Sequence, residues 1–463
     1  MNKQKLLGEV FTPTTIVTNM LNLVGYNSPS ILKRHIIDNS CGEGAFLTEI
    51  VKRYCKELFK TTDQIDIIKA HLETYIHGIE IQYQSVKTCI KKLDNIAAEY
   101  GVYDVNWDII CDNAFSVTRF NGKMDYVVGN PPYVRIHNMQ SPEDIPYKLS
   151  GMTDLYIAFY YLGIDMMSST GQLCYITPNS IFSSKAAFEL RKRLIEDNLI
   201  ETVVNYKDLD VFNAKTYSAI ISLKNNKNDI KVVKYYEPKN INDLILDAFI
   251  IPEEFYINGN FYFKNNKEIK QIFNSDSFCG IRVFNGFATM CDKVFIRNFD
   301  FKSPLLIPII KSSKGVISTA IYPYTKQNKL LSEEDIRKDT LVYNYLMNNQ
   351  EKLLKRNTTE PWYGYGRTQA LKTTFQDKLT VNTYIKNIED VKVMYAPSGT
   401  GAYSGLIITS DKISLSDIKE ILETREFCDY VKGLGHYKNG GYCTFNSKEL
   451  EQFLNYKFTE PTL

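Results

Sequence analysis

Asn130-Pro131-Pro132-Tyr133 is the stretch of this 463-residue chain whose residue types point most directly to chemistry. It follows an apolar run, Met124–Gly129, that reads as a strand. Two consecutive prolines stiffen the backbone and lack N–H donors, which leaves the Asn130 side-chain oxygen and the Pro131 carbonyl as acceptors. Two acceptors aimed at one amino group can hold the exocyclic amine of adenine and make its lone pair available for attack. Tyr133 supplies a ring on which an extruded base can stack. A proline-stiffened loop exit is the plain alternative, and three earlier segments weigh against it.

Asp38-Asn39-Ser40-Cys41-Gly42-Glu43-Gly44-Ala45-Phe46 follows an apolar strand and opens a helix. Gly42 and Gly44 allow close approach of backbone to a ligand, and the helix N-terminus behind them favours an anionic group. Glu80, at the tip of the next strand in Gly78-Ile79-Glu80-Ile81, is placed to accept from ribose hydroxyls. Asp112 and Asn113 follow a third strand. Asp112 can accept from an adenine amine, and Phe115 can pack on its ring. Each segment alone is equally well a tight turn or an exposed acid. Their succession at consecutive strand ends is the informative feature.

The elements that must carry these residues are legible between residues 10 and 225, where apolar runs alternate with helical patterns as in a parallel-sheet α/β domain. Strands are expected at His35–Asp38, Tyr75–Glu80, Trp107–Cys111, Met124–Gly129, Leu173–Thr177, Thr202–Tyr206 and Ala219–Leu223. Helices are expected near Ala45–Phe59, Gln82–Tyr100, Asp154–Met167 and Lys185–Glu196. Another is expected to begin at Thr12-Pro13, with Thr12 as N-cap and proline at the first helical position. The polar segment Lys224–Asp229 sets the expected boundary, giving domains 1–225 and 226–463. The second reads as mixed α/β.

Asn-Pro-Pro-Tyr with the three preceding features resembles the amino-methyltransferases, and the order of segments is similar to the gamma (TaqI-like) class of adenine-N6 DNA methyltransferases. The resemblance runs almost continuously over residues 8–225. Gly8-Glu-Val-Phe-Thr-Pro13 is similar to that class's leading cofactor segment, Thr153–Phe159 to the helix after the catalytic loop, and Val211–Ala219 to the segment that stacks on a flipped base. Asp38 stands where some members carry Glu. The resemblance implies a doubly wound seven-stranded, Rossmann-like methyltransferase sheet followed by a C-terminal mixed α/β recognition domain. It implies S-adenosyl-L-methionine as cofactor, held by Thr12, Pro13, Asp38, Asn39, Gly42, Gly44, Phe46, Glu80, Ile81, Asp112, Asn113, Phe115, Asn130 and Phe159. Catalysis falls to Asn130, Pro131, Pro132, Tyr133 and Phe212, the last as the ring opposite Tyr133. The implied partner is double-stranded DNA.

In the second domain, Phe284-Asn-Gly286 opens a segment similar to one common in such recognition domains. Trp362-Tyr363-Gly-Tyr-Gly-Arg367-Thr-Gln369 combines aromatics with an Arg suited to guanine and a Gln suited to adenine. A packed aromatic turn with a surface Arg is the equal alternative. Lys311, Lys314, Lys326 and the loop Gly435–Tyr442 are weaker candidates.

Composition restricts the function classes less sharply. The net charge of +2 divides into roughly −2 before residue 226 and roughly +4 after it, a mild asymmetry. The nine cysteines form no Cys-x-x-Cys pair, so neither a zinc site nor a structural disulfide is expected and a cytoplasmic protein is, while one recognition domain per chain suggests a monomer on DNA. No apolar run has the length of a membrane span. The rival readings are methylation of RNA adenine or of protein glutamine, and a silent DNA-binding subunit. Glutamine-directed enzymes place their extra domain before the catalytic one, the reverse of this layout. A fused nuclease is not expected ahead of Thr12, whereas a cognate restriction endonuclease encoded separately would fit.

Overall fold

The computed structural model describes residues 12–136, 144–149, 153–207, 209–212, 217–225, 232–241, 243, 248–276, 278–438 and 440–459. Two compact units divide the chain, Met1–Phe263 and Lys264–Leu463. The first is built on strands β1 (Ile36–Asp38), β2 (Ile76–Glu80), β3 (Asp108–Cys111), β4 (Met124–Gly129), β5 (Met167–Pro178), β6 (Ile200–Asn205), β7 (Ser218–Lys224), β8 (Val233–Tyr236) and β9 (Ala248–Ile250). They form one sheet in the order β3-β2-β1-β4-β5-β7-β6-β8-β9. Strands β1 to β5 run parallel, and β7 is antiparallel to both neighbours.

The seven expected strands are all present, and two more extend the sheet. Strand β8 adds parallel to β6 and β9 adds antiparallel to β8, so the sheet takes in strands on both sides of the polar segment at which a boundary is expected. The compact unit therefore ends at Phe263, not at 225. The hairpin of Tyr256–Ile257 and Asn260–Phe261 is the reason it reaches that far. Buried Arg191 donates to the carbonyls of Ile181 (2.7 Å) and Gly259 (2.6 Å) and to Asn260 Oδ1 (3.0 Å), which ties the hairpin to the first unit.

Helices cover both faces. Helices α1 (Thr14–Leu23), α2 (Ala45–Leu58), α3 (Ile65–Tyr75) and α4 (Tyr83–Glu99) contribute to one core layer, and α5 (Leu155–Met166) and α6 (Phe188–Glu196) to the other. Successive strand residues alternate between the layers, with Ile36 and Val128 in one and Ile37 and Val127 in the other. Helix α3 has no counterpart in the sequence expectations. It buries Ile68 and Leu72 and exposes Ile65 and Ile67, so its apolar pattern marks no single face.

In the second unit, a four-stranded antiparallel sheet pairs Ile281–Asn285 with Leu406–Ser410, that strand with Lys378–Val381, and this with Val393–Ala396. A three-stranded sheet joins Leu306–Lys311 to Val316–Ile321 and, in parallel, to Gly401–Tyr403.

Candidate cofactor and target-base site

The candidate residues of the first unit gather because β3, β2, β1 and β4 are adjacent and parallel, so their C-terminal tips share one edge. This is the edge at which open α/β sheets take ligands. Beyond β1, Gly42 and Gly44 both have positive φ, 50° and 86°, and α2 starts at once. A Cβ on Gly44 would lie 2.7 Å from Cys89 Sγ, so only glycine lets the turn pack on α4. Glu80 holds this turn from the β2 tip. Its carboxylate accepts from Gly42 N at 3.0 Å and Gln82 N at 2.8 Å. Shaping the glycine turn is a role the sequence did not suggest for it.

Asp38 is buried at 1% exposure, accepts from Ser40 N at 3.1 Å, and faces the β4 tip. Burial, with Glu80 adding negative charge nearby, raises its pKa to about 8 against the pull of the Ser40 N–H. Asn39 is committed to the interior, accepting from Tyr175 Oη at 2.9 Å and donating to Met166 Sδ at 3.7 Å. Phe46 is buried in the core layer beneath the turn.

At the β4 tip, Asn130 Nδ2 donates to Thr12 Oγ1 at 3.1 Å. That contact turns the amide oxygen away from Thr12 and replaces the expected N-cap role. Helix α1 starts at Thr14 with Pro13 before it and no side-chain cap. Pro131 is buried and Pro132 half-buried. Tyr133 Oη donates to the Ile176 carbonyl at 3.1 Å, and burial pushes its phenol pKa well above the ordinary value. Phe212 does lie against Tyr133, but edge to face, with centroids 6.2 Å apart and planes at 71°. A base sandwiched between parallel rings needs this pair to rotate. Tyr156 meets Tyr133 edge-on from α5 at 6.3 Å, a neighbour not singled out from sequence. Its spacing of four from Tyr160 on a helix apolar but for Asp165 was the available signal.

The remaining candidates divide by exposure. Ile81 is 62% exposed at the β2 tip. Asp112 is exposed and accepts from Asn113 N at 2.7 Å, while Asn113 Oδ1 accepts from Phe115 N at 3.2 Å as a helix cap. Phe115 and Phe159 are buried against each other, centroids 5.1 Å apart. Gly8–Phe11 of the leading segment and residues 213–216 of the later one lie outside the described residues.

In the second unit, Phe284 is half-buried under Lys372, whose Nζ lies 4.4 Å from the ring centroid. Gly286 has a backbone reason, since a Cβ there would stand 2.8 Å from Tyr403 Cα. Trp362 and Tyr363 are half-buried at an edge-on angle, and Tyr363 Oη donates to Leu331 O at 3.2 Å. Arg367 and Gln369 are exposed, and among the described residues neither side chain has a hydrogen-bond partner. Arg356, unnoticed in the sequence, clamps this loop. It donates to the carbonyls of Leu353 (3.0 Å), Thr289 (2.7 Å), Gly364 (2.8 Å) and Trp362 (2.6 Å).

Among the described residues no three His, Cys, Asp or Glu side chains gather as a metal site, all nine cysteines are free thiols, and no helix is long and apolar enough to cross a membrane.

Several known proteins are similar to this chain. The Type II methyltransferase M.BstVI of Geobacillus stearothermophilus is 24% identical, over 77% of this chain and 73% of its own length. The Type II restriction enzyme and methyltransferase RM.Eco57I of Escherichia coli is 23% identical over 90% of this chain, which spans 53% of it. Among solved structures, the Type IIL restriction-modification enzyme MmeI in complex with DNA shares the fold, with a TM-score of 0.64 and 14% identity. That match covers 94% of this chain and 64% of MmeI. Over residues 32–212, which hold the glycine turn, Glu80, Asn130 and Phe212, the chain matches the Eco57I restriction-modification methylase family.

Proposed function

We propose that the protein transfers a methyl group from S-adenosylmethionine to the N6 amine of an adenine flipped out of double-stranded DNA, at a sequence read by its second unit. One observation carries this reading. Asn130, its amide oriented by Thr12, stands at a strand tip on the same edge as the glycine turn clamped by Glu80. The residues present fit the cofactor. Glu80 has an acceptor role toward ribose, exposed Ile81 offers an apolar surface to a purine, and the acid Asp38 suits a positively charged methionine end.

Bound there, the cofactor supplies an activated methyl group on a sulfonium. An aromatic amine is a weak nucleophile because its lone pair is delocalised into the ring. Asn130 Oδ1 and the Pro131 carbonyl accept from N6 and favour a pyramidal nitrogen. Positioning and fixed dipoles account for the catalysis, without a nucleophilic side chain. Stacking on Tyr133 and Phe212, worth about 1–3 kcal/mol per ring, offsets the cost of base extrusion.

The test is modification-sensitive long-read sequencing of DNA from a methylation-free host expressing the chain. N6-methyladenine at one recurrent sequence is expected. Unmodified adenine, with soluble protein that binds adenosylmethionine, sinks the DNA-adenine reading.

A further inference from the structure

A buried carboxyl group needs either a cation or several hydrogen bonds to stay ionised. Asp38 has neither. Among the described residues, the one hydrogen bond its carboxyl accepts comes from Ser40 N, at 3.1 Å. Its Oδ1 lies 2.8 Å from where a Cβ on Gly129 would stand, so the carboxyl fills the gap between the β1 and β4 tips directly before Asn130. Among the described residues the titratable groups that face it are Glu80 on β2, Cys41 on its own turn and Tyr175 on β5, and none of these is a cation. Ser40 Oγ is buried in the same gap without a hydrogen-bond partner among the described residues.

We propose that Asp38 is a neutral carboxylic acid in the free enzyme and gives up its proton when the positively charged methionine end of the cofactor enters beside it. This rests on the cofactor reading above. The proton passes to solvent, the carboxylate remains, and the cofactor's charge becomes its counterion. The carboxyl is thereby a specificity-determining group, because a ligand without positive charge offers nothing to replace the proton. The raised pKa of about 8 agrees with the geometry, since it leaves the group protonated at neutral pH.

Calorimetric titration of the whole chain with adenosylmethionine at pH 7, in phosphate and in Tris, counts the protons, because the two buffers differ in ionisation heat. Release of about one proton per cofactor is expected, with affinity rising about tenfold between pH 6 and pH 7 and flattening as the pH passes about 8. Adenosine, which is uncharged, should bind without releasing a proton. Asp38→Asn should bind adenosylmethionine with no release and a flat pH dependence. Binding by the unaltered protein with equal heats in both buffers overturns the inference, as does unchanged release by Asp38→Asn. The first of these needs no variant, so an unstable Asp38→Asn leaves the proposal just as exposed. Absence of any adenosylmethionine binding defeats the cofactor reading itself, a separate outcome.

Discussion

Two loops of this protein carry the residues proposed to meet DNA, and they differ in what is left uncommitted. Asn130–Tyr133 leaves a strand of the central sheet, and its side chains are engaged by Thr12, the Ile176 carbonyl, Tyr156 and Phe212. The loop Pro361–Gln369 is held by Arg356 on the Trp362 and Gly364 carbonyls and by the Tyr363 and Tyr365 hydroxyls on the Leu331 and Ile321 carbonyls, and it leaves Arg367 and Gln369 exposed. A site whose geometry sets a rate is preorganised by side-chain contacts. A reader whose side chains must answer to base edges is better served by a fixed backbone with uncommitted tips. In the first loop, then, a substitution should alter chemistry, and in the second, recognition.

The largest expected effect tests the first half of that contrast. Asn130→Ala should lower methyl transfer by about a thousandfold, the scale of removing one preorganised transition-state contact, with the melting temperature little changed. Transfer of labelled methyl groups to host-free DNA reads it, and near-normal turnover would remove Asn130 from the chemistry. Arg356→Ala strands the Trp362 and Gly364 carbonyls of the loop and the Thr289 carbonyl beside it, and should destabilise the second unit by about 2–4 kcal/mol, seen in denaturant unfolding and in lost site-specific DNA binding. An unaffected loop would show that backbone clamping is not what holds the reader.

Arg367→Ala and Gln369→Ala should each cost about 1–3 kcal/mol of discrimination at one base pair while changing stability by less than about 0.5 kcal/mol. Competition binding against single-base variants of the target separates this from a uniform loss of affinity, which would mean contact with phosphate alone. The smallest effect lies at the opposite end of the sheet. His35, His77 and Asp108 form a chain there, with 2.9 Å between the imidazoles and 2.7 Å from His77 Nδ1 to Asp108 Oδ2. Burial, assisted by His77, lowers the pKa of His35 in the folded state. The unfolded chain therefore binds more protons below pH 6.5, and stability should fall as the pH drops through that window. His35→Gln should flatten the dependence in melts between pH 7 and pH 5, and an unaltered slope would assign it to other groups.

Much of the first unit was legible because its elements obey local periodicity. All seven expected strands appear, with ends shifted by a residue or two in most cases, since apolar runs between turn residues leave little else to form. Strands β8 and β9 and the hairpin near Gly259 were not, because short edge strands join a sheet through contacts made far away in sequence. The site followed the same division. Gly44 had to be glycine at a strand-to-helix turn, and the proline pair had to stiffen the exit from β4. That Glu80 clamps the turn, and that Thr12 orients Asn130 across 118 positions of chain, could not be read from spacing.

The sequence by itself determined the alternation of strands and helices, and with it the row of glycine, acid and asparagine at consecutive strand ends. Backbone sterics and apolar period act over a few residues, so they are written locally. Only the tertiary structure decided that Asn39 and Phe46 turn into the core, that Tyr133 and Phe212 meet edge-on, and that Asp38 sits without a cation beside it among the described residues. Those outcomes depend on what neighbouring elements leave room for and on how much water they exclude, and neither is a property of any stretch of chain taken alone.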